Sequence, residues 1–196
     1  MFFDIWTIIN PVLRTLVYIT VLTTIGTVLF QFHFNNFFDK ELSNYCRVLL
    51  KKMSVFGLFT SLVVFLSVAG NLGGDLYSTT DLSLLILAFE TLSGKSAILL
   101  FTGFLIIIIS IFINGTFSSS IKFLGIILIL WSFIIVGHST LKGLSTQTLI
   151  VIHIFCISFW LGSFLPLRFM CMNKNSKNLS VISEKFGEYA IFYISS

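Results

Sequence analysis

The sequence predicts an all-α protein: a polytopic transmembrane helix bundle with five full spans, the start of a sixth and one short interfacial helix. Three observations predict it. The 196-residue chain is 56% hydrophobic and only 10% charged, where a typical soluble domain carries about 25% charged residues. Its mean hydropathy is +1.01. Its apolar residues gather in runs close to the roughly 20 that cross a bilayer as a helix. A chain this poor in charge has no surface to solvate, which excludes a soluble domain. The net charge of +4 is modest. No basic stripe interleaves with aromatics, so nucleic acid is excluded as a partner and membrane lipid is the expected surroundings. The three cysteines, Cys46, Cys156 and Cys171, are odd in number and widely spaced, which gives no disulfide framework. Cys46 and Cys171 are expected in cytosolic loops, where thiols stay reduced.

The first span is expected over residues 13–32. Pro11 precedes it, where a missing N–H costs nothing, and Trp6 suits an interfacial anchor. Asp4, Pro11 and Arg14 do not form the pattern of a cleaved signal peptide, so this run is expected to remain a helix. Residues 33–52 read as a loop with Lys40, Arg47, Lys51 and Lys52, and His33 reads as a loop residue. The second span, 53–72, ends at Gly73-Gly74. Thr79-Thr80-Asp81 is a helix-start signal. Leu82 to Leu92 is apolar but too short to cross, so it is expected to lie at the interface, with Gly94 ending it. Asp75, Asp81 and Glu90 read first as helix caps and solvated groups, and second as groups that draw cations.

The third span is expected over 96–113 and the fourth over 121–136, with Lys122 snorkelling to the surface. A short loop makes the fourth and fifth spans antiparallel neighbours, the fifth running over 147–167. Trp131 and Trp160 look mid-span and are expected to pack. Residues 189–196 begin a further apolar run, expected as the start of a sixth span in a partial chain. Nine of the twelve basic residues fall on the side of the 33–52 loop, Lys122 and Arg168. Positive loops stay in the cytosol, so the N-terminus is expected outside and the protein in the cell inner membrane.

Several motifs fail on context. Gly94-Lys95-Ser96 imitates the end of a phosphate loop, but Phe89 stands where the first glycine is required. Asn114-Gly115-Thr116 matches a glycosylation sequon on the side assigned to the cytosol. There is no HExxH, no carboxylate pair inside a span and no Ser–His–Asp set on one face, so no enzyme is expected.

The chemistry gathers in His153 to Phe169. A titratable imidazole inside a membrane span has a cost that something must offset, so His153 is a functional candidate. His153, Cys156 and Trp160 recur at i, i+3 and i+7, one helical face. The plain alternative is a histidine holding a neighbouring helix by one hydrogen bond, worth about 0.6 kcal/mol in a membrane. Cys156 is equally readable as a small packing residue. His138, where the fourth span meets water, reads as a ligand or as an interfacial histidine bonded to a loop carbonyl. Met170, Cys171 and Met172 offer three soft sulfur atoms in a row, but consecutive helical residues diverge, so a shared site there needs an irregular backbone.

Two stretches resemble the copper-resistance protein D family, inner-membrane partners of a periplasmic copper-binding protein. One is Gly137-His138-Ser139 closing a span. The other is His153 followed by Trp160-Leu161-Gly162 and Leu165-Pro166-Leu167 in the next. Thr91-Leu92-Ser93-Gly94 is a further echo, with Lys95 where the family carries an arginine a few residues later. The resemblance is best over Trp131 to Leu167, and family members are longer. It implies copper transport, homeostasis or resistance across the cytoplasmic membrane, with copper as Cu(I) or Cu(II) and a periplasmic copper-binding protein as partner. Gly137, Trp160, Gly162 and Pro166 are its motif residues. Imidazole binds copper well and sulfur ligands favour Cu(I), so His138 and His153, with Cys156 as a third, would form an outer site. The alternative function is a haem-binding electron carrier, because two histidines from facing helices can ligate haem iron. A structural subunit without a ligand is the third reading.

Overall fold

The computed structural model describes residues 5–113, 115–136, 143–173 and 178–195, and among these it is helical with no strand. Seven helices follow one another: α1 Trp6–Phe34, α2 Lys40–Gly73, α3 Leu82–Glu90, α4 Leu92–Ile111, α5 Thr116–Ile134, α6 Leu144–Met172 and α7 Leu179–Ser195. Five of them, α1, α2, α4, α5 and α6, are long and apolar enough to cross a membrane.

The helices are longer than their apolar runs. At about 1.5 Å per residue, the 34 residues of α2 reach roughly 50 Å, against a hydrocarbon core of about 30 Å. The expected 33–52 loop is therefore mostly helix. Asp39 starts α2 by accepting from the Leu42 N–H at 2.7 Å, and only a short turn at Asn35–Phe37 separates it from α1. Hydropathy locates where a helix meets lipid, whereas the cap decides where the helix begins. For the same reason Cys46 is not in a loop: it is fully buried within α2. Cys171 is likewise helical, near the end of α6, and exposed. Pro11 lies inside α1. α2 ends as expected, with Gly74 left-handed at φ 84° and its N–H bonded to the Gly70 carbonyl at 2.8 Å.

The segment after α2 is built from caps. Asp75 accepts from the Ser78 N–H at 2.8 Å and from its hydroxyl at 2.5 Å. Asp81 accepts from the Ser83 N–H at 2.8 Å and caps α3. Thr91, rather than Gly94, separates α3 from α4. Its hydroxyl donates to the Ala88 carbonyl at 2.8 Å and accepts from the Gly94 N–H at 3.0 Å. Gly94 sits inside the first turn of α4, against the Ala88 carbonyl, with no room for a side chain.

In space the spans form a row, α6–α1–α2–α4–α5, which curls so that α5 and α6 touch lightly. The fourth and fifth spans are neighbours, then, but each packs mainly elsewhere: α5 on α4 and α6 on α1. Small residues set these pairings. Gly26 of α1 and Gly162 of α6 meet backbone to backbone, as do Gly103 of α4 and Gly125 of α5. Without a hydrophobic force between helices in lipid, such close approach is a main source of attraction. The Phe104 ring lies on Gly57, joining α4 to α2. Threonine and serine hydroxyls bond back along their own helices, as Thr20 does to the Val17 carbonyl at 2.9 Å and Ser110 to that of Ile107 at 2.6 Å, so few polar groups are left bare.

The tryptophans reverse the expectation. Trp6 is buried against Gly70, while Trp131 and Trp160 are 54% and 41% exposed. Large apolar side chains such as Phe59, Leu62, Ile127 and Phe164 also point outward, the pattern of a lipid-facing surface. α7 begins at Leu179, ten residues before the run at Tyr189, and is tied to the α1–α2 turn by Asn178 donating to the Phe37 carbonyl at 2.8 Å.

Candidate metal site

The spans enclose a cavity of about 1200 Å³, open at the end of the bundle that carries the start of α1. All five spans wall it. Its lining is mainly apolar, and its polar members include Asn10 and Arg14 of α1, Ser67 and Asn71 of α2, Ser96 of α4, Ser132 of α5 and His153 of α6. By helical rise, Arg14 and His153 lie about 12–14 Å inward from the starts of their helices, at similar depth. Asn10 and Asn71 bond to each other, at 2.9 and 3.2 Å, and Asn71 also bonds to the Ser67 carbonyl at 2.6 Å. Ser96 donates to the Ser132 carbonyl at 2.8 Å, joining α4 to α5 at the wall.

Arg14 and His153 are among the lining groups that have no such partner. Among the described residues, neither the His153 imidazole nor the Arg14 guanidinium makes a hydrogen bond or ion pair, and both open into the cavity. His153 therefore offers a free ring nitrogen to whatever enters. Arg14 is the one charged residue among the described lining residues, and no carboxylate offsets it.

The other sequence candidates divide. His138 and Gly137 lie outside the described residues. Cys156 does not join His153: it faces α7, within electrostatic reach of the Tyr193 hydroxyl, and does not line the cavity. The ring of Trp160 meets Phe186 of α7 edge-on at 5.8 Å. The 60° between positions i and i+3 is enough to send the two side chains to different neighbours. Met170, Cys171 and Met172 share no site, because α6 stays regular through Met172. Met170 is buried at 3% exposure, whereas Cys171 and Met172 are exposed. Among the described residues no group of three or more His, Cys, Asp or Glu is placed to hold a metal.

Gly162 owes its place to the α1–α6 contact, and Pro166 is buried in α6. His33 is not a loop residue. It occupies the last turn of α1, its Nδ1 is 2.9 Å from the Leu29 carbonyl, and its ring packs among Phe159, Tyr189 and Tyr193. Arg14, Asn10 and Asn71 were legible only as polar residues in or beside apolar runs. Nothing in the sequence said that two helices bring them to one cavity.

A bundle of five long apolar helices, with apolar side chains turned outward and a cavity between them, defines a multi-pass membrane protein. The particular family follows from comparison: residues 4–147 match the copper resistance protein D-like N-terminal domain, nearly three quarters of the chain, and the chain belongs to that family. The match takes in α1 to α5 and His138 and stops before His153. It thus covers far more of the N-terminal half than the motifs around Trp131 to Leu167 indicate. No curated protein and no solved structure matches the chain significantly.

Proposed function

We propose that this copper-resistance-family protein handles copper as cargo in the cytoplasmic membrane, taking the ion into the cavity at the N-terminal end. The observation that carries the reading is His153: a titratable ring inside a span, facing a mainly apolar cavity that few polar groups line, with no partner among the described residues. Such a residue in a membrane bundle is functional by default, and imidazole is a good copper ligand. His138 would supply a second imidazole from the α5–α6 connection. The excess of basic residues at the opposite end supports a cytosolic position for that end and an outer one for the cavity. A periplasmic copper-binding protein is then the natural donor. The chain performs no chemistry beyond ligand exchange, and is not an enzyme on this reading. Arg14 favours the singly charged Cu(I), because repulsion scales with the charge of the ion.

The test is cellular copper content by mass spectrometry in a null strain carrying the parent gene, His153→Ala, or His138→Ala with His153→Ala, with membrane abundance checked by immunoblot. The parent should change copper content relative to the null, and the double variant should behave as the null at equal abundance. If parent and null hold the same copper under copper load, the reading is wrong.

A further inference from the structure

At the opposite end of the bundle a second, smaller cavity of about 350 Å³ lies between α1, α2, α4 and α5. Two cations line it, Arg47 of α2 and Lys122 of α5, together with Gln31, Ser43, Ser118 and Ser119. No carboxylate does. The two cations line the same cavity, one from each of two facing helices. Each is bonded only to a neutral oxygen: Arg47 to the Ile111 carbonyl at 3.3 Å, and Lys122 to Gln31 Oε1 at a long 3.4 Å. Asp39 belongs to the adjoining depression and is committed to capping α2. Ser118 and Ser119 come from the first turn of α5; the Ser118 N–H donates to the Gly115 carbonyl at 3.1 Å and its hydroxyl to the Ser110 carbonyl at 2.9 Å. Beside the cavity, the Phe32 ring is 61% exposed and meets Phe123 edge-on at 5.3 Å, an apolar strip leading away from the charges.

Two cations lining one cavity, with no carboxylate among its described lining residues and with Asp39 in the depression that Arg47 also borders spent on capping α2, are arranged for an anion. We infer that this cavity binds a phosphate group. Arginine grips phosphate oxygens in a two-pronged fashion while lysine acts as a point charge. Basic pockets between membrane helices are suited to lipid head groups. A phosphodiester head would sit between Arg47 and Lys122, with acyl chains along Phe32 and Phe123. Free phosphate would use the same donors without the strip.

The experiment measures the thermal unfolding midpoint of the full chain in phosphatidylcholine nanodiscs. The additions are phosphatidylglycerol in one arm, inorganic phosphate in another, and more phosphatidylcholine as reference. The parent should be stabilised by one of the first two. A gain from phosphatidylglycerol alone assigns the source to lipid, and a gain from inorganic phosphate assigns it to the free ion. Arg47→Gln with Lys122→Gln should weaken the apparent affinity about thirtyfold. Lys51→Gln with Lys52→Gln, on the same helix but outside the cavity, should leave it unchanged. If the double variant at Arg47 and Lys122 does not fold, Ser119→Glu serves instead, placing a negative charge in the cavity. Equal midpoints in all three additions would overturn the inference. So would equal loss in the Lys51/Lys52 variant, since the effect would then be general surface attraction.

Discussion

Arg14 and His153 face one cavity without partners among the described residues, and the Arg14 charge bears on what can bind there. Over the order of 10 Å, at an effective dielectric of about 20, two unit charges repel by roughly 1–2 kcal/mol, about a tenfold effect on binding. Arg14→Gln should therefore tighten Cu(I) binding to the purified protein by up to about tenfold, read by competition with a chromogenic chelator. Unchanged affinity would place the copper away from this cavity. Asp75 and Asp81 carry a second residue-scale consequence. The hydroxyl and then the N–H of Ser78 hold the Asp75 carboxyl below its usual range, and Ser83 does the same for Asp81. A depressed folded pKa means support that is present above the unfolded value of about 3.9 and lost as pH falls through the folded value. Amide exchange at residues 75–84 should thus match between pH 7 and pH 5, once corrected for the intrinsic rate, and accelerate below about pH 4. At this scale His153 was legible because a histidine in an apolar run is conspicuous. Arg14 was visible only as a charge to count, since its neighbours come from helices far along the chain.

Helix ends were the least legible elements and helix pairings the next. Residues 33–52 look like a loop because lysines dominate them, yet the Asp39 cap begins α2 at Lys40 and runs it on without a break. Gly94 looks like a helix end but fills a close approach to Ala88. The pairing of α1 with α6 rests on Gly26 and Gly162, which sit inside runs that hydropathy reads as uniform. A Cβ on Gly26 would meet the Ser158 carbonyl and the Gly162 backbone, neither of which can rotate away. Gly26→Ala should cost about 1–3 kcal/mol by overpacking, seen as a lower unfolding midpoint in detergent. Gly74→Ala strains only an exposed turn and should leave the α1–α6 pairing intact. If Gly26→Ala unfolds at the parent's temperature, the backbone contact is not what joins these helices.

For the molecule as a whole, the composition was enough to establish a helical membrane bundle, because five runs of spanning length leave no other fold. The arrangement of the spans was not available, since their sequence order differs from their order in space. The charge asymmetry does make a claim about the whole molecule that labelling can check. Cys171 is exposed at the basic end and Cys46 is buried. A membrane-impermeant maleimide should modify Cys171 in inverted vesicles and not in intact spheroplasts, with Cys171→Ser silent in both. Cys46 should react only after denaturation. Labelling of Cys171 in spheroplasts would reverse the topology and place the His153 cavity in the cytosol.

The Gly26–Gly162 contact also bears on how the protein is made. α1 leaves the ribosome well before α6, and the backbone that covers its glycine face is synthesised more than a hundred residues later. Until then that face, Leu22 included, is turned to lipid or to the insertion machinery. A helix made early is thus covered late. An assembly defect in α6 would leave α1 inserted in the membrane without its partner.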